Sequence, residues 1–207
     1  MEIRAFTESD RAELRELFDR AGEGAPTASL WEHEESEAAI YLDPYMDLEP
    51  DSLFVAMVDG TLTGYLTGCL DGSTFPSESQ RMEQAIRTCR LIFKRKPAAF
   101  FARSMVDMAW AAIRREPTPK DFNDAHRPAH LHINVEPQAR GTGAADGLVK
   151  RWLDRLRENG SPGCHLQTVR ENARAVRFFE RMGFIKHGPT PLVPGIRYDG
   201  KRLHQQT

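Results

Sequence analysis

The chain has 207 residues, 40% hydrophobic and 28% charged, the profile of an ordinary globular domain. Lysine plus arginine number 28 against 30 acidic residues, so the basic excess of a nucleic-acid binder is absent. No apolar run approaches the roughly 20 residues that span a bilayer, Met1 to Phe6 carries no leader pattern, and Cys69, Cys89 and Cys164 form neither a disulfide framework nor a CxxC metal pair. These features predict one domain over residues 1–207, cytoplasmic, with no membrane, nucleic-acid or metal partner.

Ile3 to Phe6 reads as a short strand. Thr7 to Asp10 offers helix caps, and Leu14, Leu17, Phe18 and Ala21 follow at helical spacing, with Gly22 and Gly24 as the stop. Glu32, Glu34, Glu35 and Glu37 lead into Ala38 to Ile40 and read as a solvated helix face; a patch facing an acceptor is the alternative. Ser52 to Val58 and Thr61 to Leu70 are two strands joined by Asp59-Gly60, a hairpin signal. Gly64 and Gly68 lie inside the second strand, where glycine marks a bulge, a close neighbour or plain weakness.

Residues 72–124 read as a helical insertion. Met82, Ala85, Ile86, Cys89, Ile92 and Phe93 form one helical stripe. Pro97 begins a second, with Phe101, Met105, Met108 and Ala112 on its apolar face and Pro117 and Pro119 beyond it. Arg90, Lys94, Arg95 and Lys96 read as a solvated basic helix end.

His130 to Glu136 alternates strictly. Leu131, Ile133 and Val135 face one side; His130, His132, Asn134 and Glu136 face the other. A glycine turn, Gln138-Ala139-Arg140-Gly141-Thr142-Gly143-Ala144, separates this strand from a helix carrying Leu148, Val149, Trp152, Leu153 and Leu156. Cys164 to Val169 is a further strand. Glu171-Asn172 caps a helix with Ala175, Val176, Phe179 and Met182 on one face, and Gly183 ends it. Phe184-Ile185 opens another strand, and Ile196 to Leu203 is the last.

A strand, a glycine turn and a helix N-terminus together collect free backbone N–H groups and suit an anion. The P-loop is excluded because no Lys-Ser or Lys-Thr follows the glycines. The dinucleotide fingerprint is excluded because Asp146 stands where its third glycine belongs.

The turn resembles the acyl-coenzyme A turn, Q/R-x-x-G-x-G/A, of the GNAT N-acetyltransferase superfamily, met by Gln138, Gly141 and Gly143 with Pro137 and Arg140 in place. A second family motif follows in order: Asn172-x-x-Ala175-x-x-Phe178-Phe179-x-x-x-Gly183-Phe184. Ser52 to Val55, Gly64 to Gly68, the insertion and Glu158 to Gly163 resemble, more narrowly, the acetyltransferase-like C-terminal domain of O-GlcNAcase and its free-standing bacterial relatives. The hydrolase barrel is absent from this sequence, so glycosidase activity is not implied.

The resemblance implies an α/β (α+β) GNAT fold: a central mixed, mostly antiparallel sheet flanked by helices, with the helical insertion between strands 3 and 4. It implies acetyl-CoA as cofactor. The pyrophosphate would lie on the N–H groups of Arg140, Gly141, Thr142, Gly143 and Ala144, and the pantetheine arm along Ile133 to Val135, with Gln138, Asn172 and Phe179 completing the site. The reaction implied is acetyl transfer to an amine on a small molecule or peptide.

An amine needs a base. Histidine suits neutral pH, so His132 is the first candidate and His130 the second, with Asp124 and His126 as further choices. The family's usual tyrosine acid is missing: Phe179 stands there, and a phenyl ring donates no proton. An acetyl-CoA-binding sensor without turnover is therefore the alternative. The edge of a last strand leaves a homodimer open.

Overall fold

The computed structural model describes residues 1–21, 31–118, 122, 124–198 and 201–207. Gly22, Gly24 and Pro119, read above as helix stops, lie outside the described residues. In chain order the elements are β1 (Glu2–Ala5), α1 (Arg11–Ala21), α2 (Glu34–Tyr41), α3 (Asp43–Leu48), β2 (Leu53–Val58), β3 (Thr61–Cys69), α4 (Glu78–Thr88) and α5 (Arg95–Arg114). There follow β4 (Ala129–Val135), α6 (Ala144–Glu158), β5 (Cys164–His165), β6 (Thr168–Val169), α7 (Ala173–Arg181), β7 (Leu192–Tyr198) and β8 (Lys201–Gln206).

Five strands form the central sheet in the order β1-β2-β3-β4-β5, antiparallel except for the parallel β4–β5 pair. The β2–β3 hairpin turns at Asp59-Gly60, both at positive φ (52° and 79°), as a tight two-residue turn requires. Each sheet face is apolar and covered. Phe54, Ala56, Leu66 and Leu131 meet Leu148, Val149 and Trp152 of α6. On the other face Leu53, Val55, Leu62 and Tyr65 meet Leu14 and Leu17 of α1 and Tyr45 and Met46 of α3.

The alternation of β4 translates directly into these layers. Register sets Leu131, Ile133 and Val135 opposite Gly68, Leu66 and Gly64, on the α6 side. His130, His132 and Asn134 lie opposite Cys69, Thr67 and Tyr65, on the α1–α3 side. Gly68 is a close approach: a Cβ there would lie 2.3 Å from the ring of the fully buried Trp152.

The insertion packs into the body. Its Ala85, Leu91 and Phe100 share a core with Trp31 and with Ile40 of α2, and Ile196 of β7 packs against it. The expected continuous helix from Met82 to Phe93 stops at Thr88, because Arg90 takes a left-handed conformation (φ 51°) and Leu91–Phe93 is a 3-10 turn. The expected inner face of α5 is also corrected. Met105 is 75% exposed and Met108 42%, while Phe100, Asp107 and Ala111 are buried. The reason is polar: the Asp107 carboxylate accepts from the Gly195 N–H at 2.8 Å and from Arg197 at 2.7 Å, which turns that side of the helix toward β7. Burial of one carboxylate outranks two flexible apolar side chains because an unpaired buried charge costs far more than an exposed methionine.

Three strand expectations change near the C-terminus. Cys164 to Val169 divides: β5 pairs with β4, whereas β6 pairs with β8 in a second sheet of order β6-β8-β7. Phe184-Ile185 is not a strand; Phe184 stacks on Phe179 (5.7 Å between ring centres) and Ile185 is exposed. Ile196 to Leu203 spans two antiparallel strands, β7 and β8, rather than one. Among the described residues no helix is long and apolar enough to cross a membrane.

Gly68→Ala is expected to force Trp152 or the β3 backbone to move, lowering stability by about 1–3 kcal/mol. Urea unfolding followed by tryptophan fluorescence measures it, and an unchanged midpoint would refute the close packing.

Candidate functional site

β4 and β5 pair only at Ala129–Cys164 and His130–His165. Beyond them β4 stays on β3 while the chain after β5 crosses to β8. The strands therefore part, and a cavity of about 1170 Å³ opens between them. Leu131 to Val135 form one wall; Leu166 to Val169 form the other. On the gap side, the backbone groups of β4 beyond His130 have no neighbouring strand, so they can pair with an extended amide-bearing chain.

One end of the cavity is an anion cradle. Arg140, Gly141, Gly143, Ala144, Ala145 and Asp146 line it. Gly141 and Gly143 have φ of +86° and +90°, with no side-chain cap from Gly143 on α6. The first-turn N–H groups of this 15-residue helix thus lack intrahelical acceptors at the cavity. Arg174, Arg177 and Arg181 of α7 line the same end. Arg181 pairs with Asp146 at 3.2 Å, offsetting the one acid in the cradle. Arg140, Arg174 and Arg177 have no carboxylate partner among the described residues. Burial, and then the charge of Arg174, push the Arg140 guanidinium below its ordinary value. That is uncompensated positive charge, relieved by an anion.

The opposite end carries carboxylates and tyrosines: Asp19, Glu34, Glu37, Tyr41, Tyr65 and Glu78, with His132 and Asn134 on β4. The Tyr41 hydroxyl donates to Glu78 Oε1 at 2.8 Å. Asn134 Nδ2 donates to the Tyr65 hydroxyl at 2.7 Å. Burial raises both tyrosines above their ordinary value, so both keep their protons. Burial, then Glu34, raises the Asp19 carboxyl.

Of the residues singled out from sequence, His132, Ile133, Val135, Arg140, Gly141, Gly143, Ala144, Asn172 and Phe179 line this one cavity. Gln138, Thr142 and His130 do not. Gln138 is exposed, and Thr142 Oγ1 donates to the Ala139 carbonyl at 2.7 Å, holding the turn. Asn172 caps α7 by accepting from the Ala175 N–H. His130 Nε2 lies 2.9 Å from the Tyr45 hydroxyl, behind His132 and between the rings of Phe75 and His165. Burial and then His132 hold His130 down to about 2; burial and then Arg81 hold His132 down to about 4. Asp124 pairs with Arg127 on a loop outside the cavity lining.

Tyr41, Tyr65, Asp19 and Glu78 were missed from sequence. They belong to four elements or flanks far apart in the chain, and no local spacing links them. The acidic run had a usable signal. Glu34 and Glu37, one helical turn apart, reach the cavity, while Glu32 and Glu35 do not. Among the described residues His33, Glu35 and Cys89 also bring ligand-type atoms within 4.8 Å of one another. His33 Nδ1 is engaged by Ser36 and its Nε2 by the Lys94 ammonium, a cation that opposes a metal.

The model of the acetyltransferase (GNAT) family matches residues 11–184. A mycothiol acetyltransferase from Nocardiopsis dassonvillei is 28% identical over 110 residues, 51% of this chain and 33% of that protein. The match spans 33% of that protein and 43% of a second curated relative, an acetyltransferase of Pectobacterium atrosepticum that is 30% identical over 61 residues, 30% of this chain. Among solved structures, SsHAT superposes with a TM-score of 0.60 at 21% identity, covering 99% of this chain and 96% of that one. The structure of yncA from Salmonella typhimurium, solved with acetyl-CoA, superposes with a TM-score of 0.56 at 16% identity, covering 99% of this chain and 90% of that one. At these identities the superpositions speak for the fold.

The two buried histidines of β4 make a pH prediction. An unfolded histidine titrates near 6.5, and these two stay neutral in the fold. Below that value the unfolded chain binds more protons, so stability falls as pH drops from about 6.5 toward 4. The expected loss at pH 5 is roughly 1–2 kcal/mol per histidine. Urea unfolding at pH 7 and pH 5 measures the loss, and NMR of the imidazoles should show both neutral at pH 5. A protonated ring in the folded protein at that pH would contradict the burial argument.

Proposed function

Since the chain belongs to the acetyltransferase (GNAT) family, we propose that it transfers acetyl from acetyl-CoA to a cationic amine, carried by a small molecule or a peptide. One observation carries the acceptor class: a single cavity has uncompensated arginines at one end and Asp19, Glu34, Glu37 and Glu78 at the other. An anionic coenzyme and a cationic acceptor are thereby drawn to opposite ends of the same gap.

The residues fit the coenzyme. The N–H groups of Gly141, Gly143 and the first turn of α6, with Arg140 and Arg174, would hold the pyrophosphate, while the N–H groups of Arg140, Thr142 and Ala144, expected to join them, are spent on Pro137, Ala139 and Thr142 within the turn. The unpaired edge of β4 around Ile133 to Val135 would pair with the pantetheine amides, with Asn172 and Phe179 across the gap. Gln138 and Thr142 would support the turn from outside the lining. When bound, acetyl-CoA supplies a thioester: the amine nitrogen forms the C–N bond, the C–S bond breaks, and the sulfur leaves with a proton from the amine. Orientation of the two reactants is the larger part of what the chain provides. His132, neutral at pH 7, offers its imidazole to the acceptor end as a hydrogen-bonding group. With its pKa held near 4 it is a weak sink for an amine proton.

Binding of acetyl-CoA without turnover is the second reading, favoured by Phe179 in the cavity lining. Tyr41 and Tyr65 bring hydroxyls into the same cavity from α2 and β3, which supports the transferase reading.

Thiol release with acetyl-CoA tests the proposal on an alkyl monoamine, an alkyl diamine, a free amino acid and a peptide. The dication is expected to have the highest kcat/KM and the amino acid, with its carboxylate, the lowest. Arg140→Ala with Arg174→Ala should weaken coenzyme A binding at least tenfold by calorimetry, and Asp19→Asn with Glu34→Gln should erase the diamine preference. No thiol release with any amine, despite coenzyme binding, would decide for the second reading.

A further inference from the structure

The insertion does more than cover the sheet. Its first helix starts at Glu78, capped by Ser77, and this first residue lines the cavity with Tyr41 of α2 and His132 of β4. The Tyr41 hydroxyl proton is already committed to Glu78 Oε1, 2.8 Å away. Its oxygen therefore keeps lone pairs for a donor arriving in the cavity. Tyr65 has the opposite arrangement, since its oxygen takes a hydrogen from Asn134. His132 makes no hydrogen bond among the described residues, and its ring meets Tyr41 edge-on at 6.3 Å.

We infer that Tyr41 and Glu78 form the proton relay that deprotonates the acceptor ammonium, with Tyr41 as a catalytic residue and Glu78 as the group that receives the proton through it. The inference rests on the transferase reading above. One N–H proton of the ammonium passes to the Tyr41 oxygen while the Tyr41 proton passes to the Glu78 carboxylate. Tyrosine ends as it began, the carboxylate becomes a carboxylic acid, and the amine nitrogen gains a free lone pair. Glu78 returns the proton to solvent after turnover.

The geometry favours this direction of transfer. Burial, with Glu78 next, raises Tyr41 well above its ordinary value, so its hydroxyl rests protonated and donating to Glu78 Oε1. Arg81 of the same helix lies near; it donates to the Ile40 carbonyl and sits over the rings of Tyr45 and Phe75. Glu37 of α2, His132 and Arg81 are the other charged or titratable groups facing Tyr41.

The test compares Tyr41→Phe, Glu78→Gln and Glu78→Asp with the unaltered protein on two acceptors, an alkylamine and an aromatic amine. The first is an ammonium at pH 7; the second is neutral without help. Coenzyme A binding and thermal unfolding report whether each variant folds, and Glu78→Gln keeps an oxygen for the Tyr41 hydroxyl. Loss of the relay should lower kcat for the alkylamine about 100-fold, leave KM for acetyl-CoA unchanged and cost the aromatic amine less than threefold. The variants' alkylamine rates should climb with pH past the point where the unaltered protein levels off, and Glu78→Asp should recover part of the rate. Equal losses on both amines, or none on either, with thiol release intact in the unaltered protein, would overturn the relay alone. No thiol release from the unaltered protein with either amine would overturn the transferase reading and the relay with it.

Discussion

The parting of β4 and β5 after a two-residue pairing is the constraint on which the rest of the structure depends. A sheet that stayed closed here would satisfy the β4 backbone internally and leave no gap. Two opposed anchors hold it open. On one side β4 is held along its length by β3, with α6 pressed against that pair so closely that Gly68 has room for no side chain. On the other side the chain leaves the sheet at Leu166 because β8 takes Thr168 and Val169. The opening is thus a difference between two sets of hydrogen bonds, and the unpaired edge it leaves is a binding surface for an amide-bearing chain.

The gap is polarised along its length by the elements that end in it. The α6 N-terminus and the α7 arginines make the cradle end positive, and α1, α2 and α4 bring carboxylates to the lining. Arg140 at one end and Asp19 at the other show the effect of their like-charged neighbours. Arg140 loses some of its hold on a proton to burial and Arg174, and Asp19 holds its proton more tightly through burial and Glu34. Both shifts have the sign of electrostatic strain, and both would relax with an opposite charge nearby.

How much of this was legible in the sequence divides by distance along the chain. The glycine turn and the last helix were readable as structure because they are local: Gln138 to Ala144 is one turn, and Asn172 to Phe184 is one helix with its stop. The β2–β3 hairpin was readable for the same reason, since Asp59-Gly60 contains its own conformational demand. The acceptor end was not. Tyr41, Tyr65, Glu78 and His132 meet only through the register of β3 on β4 and the packing of α4 on α2. The C-terminal strands failed similarly: nothing local in Cys164 to Val169 says that two strands in two sheets share one apolar run. Reading α5 by its hydrophobic period misassigned its inner face, because Asp107 has long-range partners, Gly195 and Arg197, that the period cannot show.

That division bears on the missing tyrosine at position 179. Within the local motif, Phe179 looks like a lost function. In the fold it is a packing residue, 9% exposed and stacked against Phe178 and Phe184. A hydroxyl there would have to find a partner among apolar rings or face the cavity. Hydroxyls enter the cavity instead from α2 and β3, where Glu78 and Asn134 already orient them. Proton handling has a structural home remote from the motif, and that home includes a residue of the insertion. The insertion is tied to the body at both ends of this arrangement, by α4 on α2 beside the cavity and by Asp107 of α5 on the β7–β8 hairpin. The same hairpin's β8 strand draws β6 away from β4. One anchor therefore links the opening of the gap to the placement of the groups that work inside it.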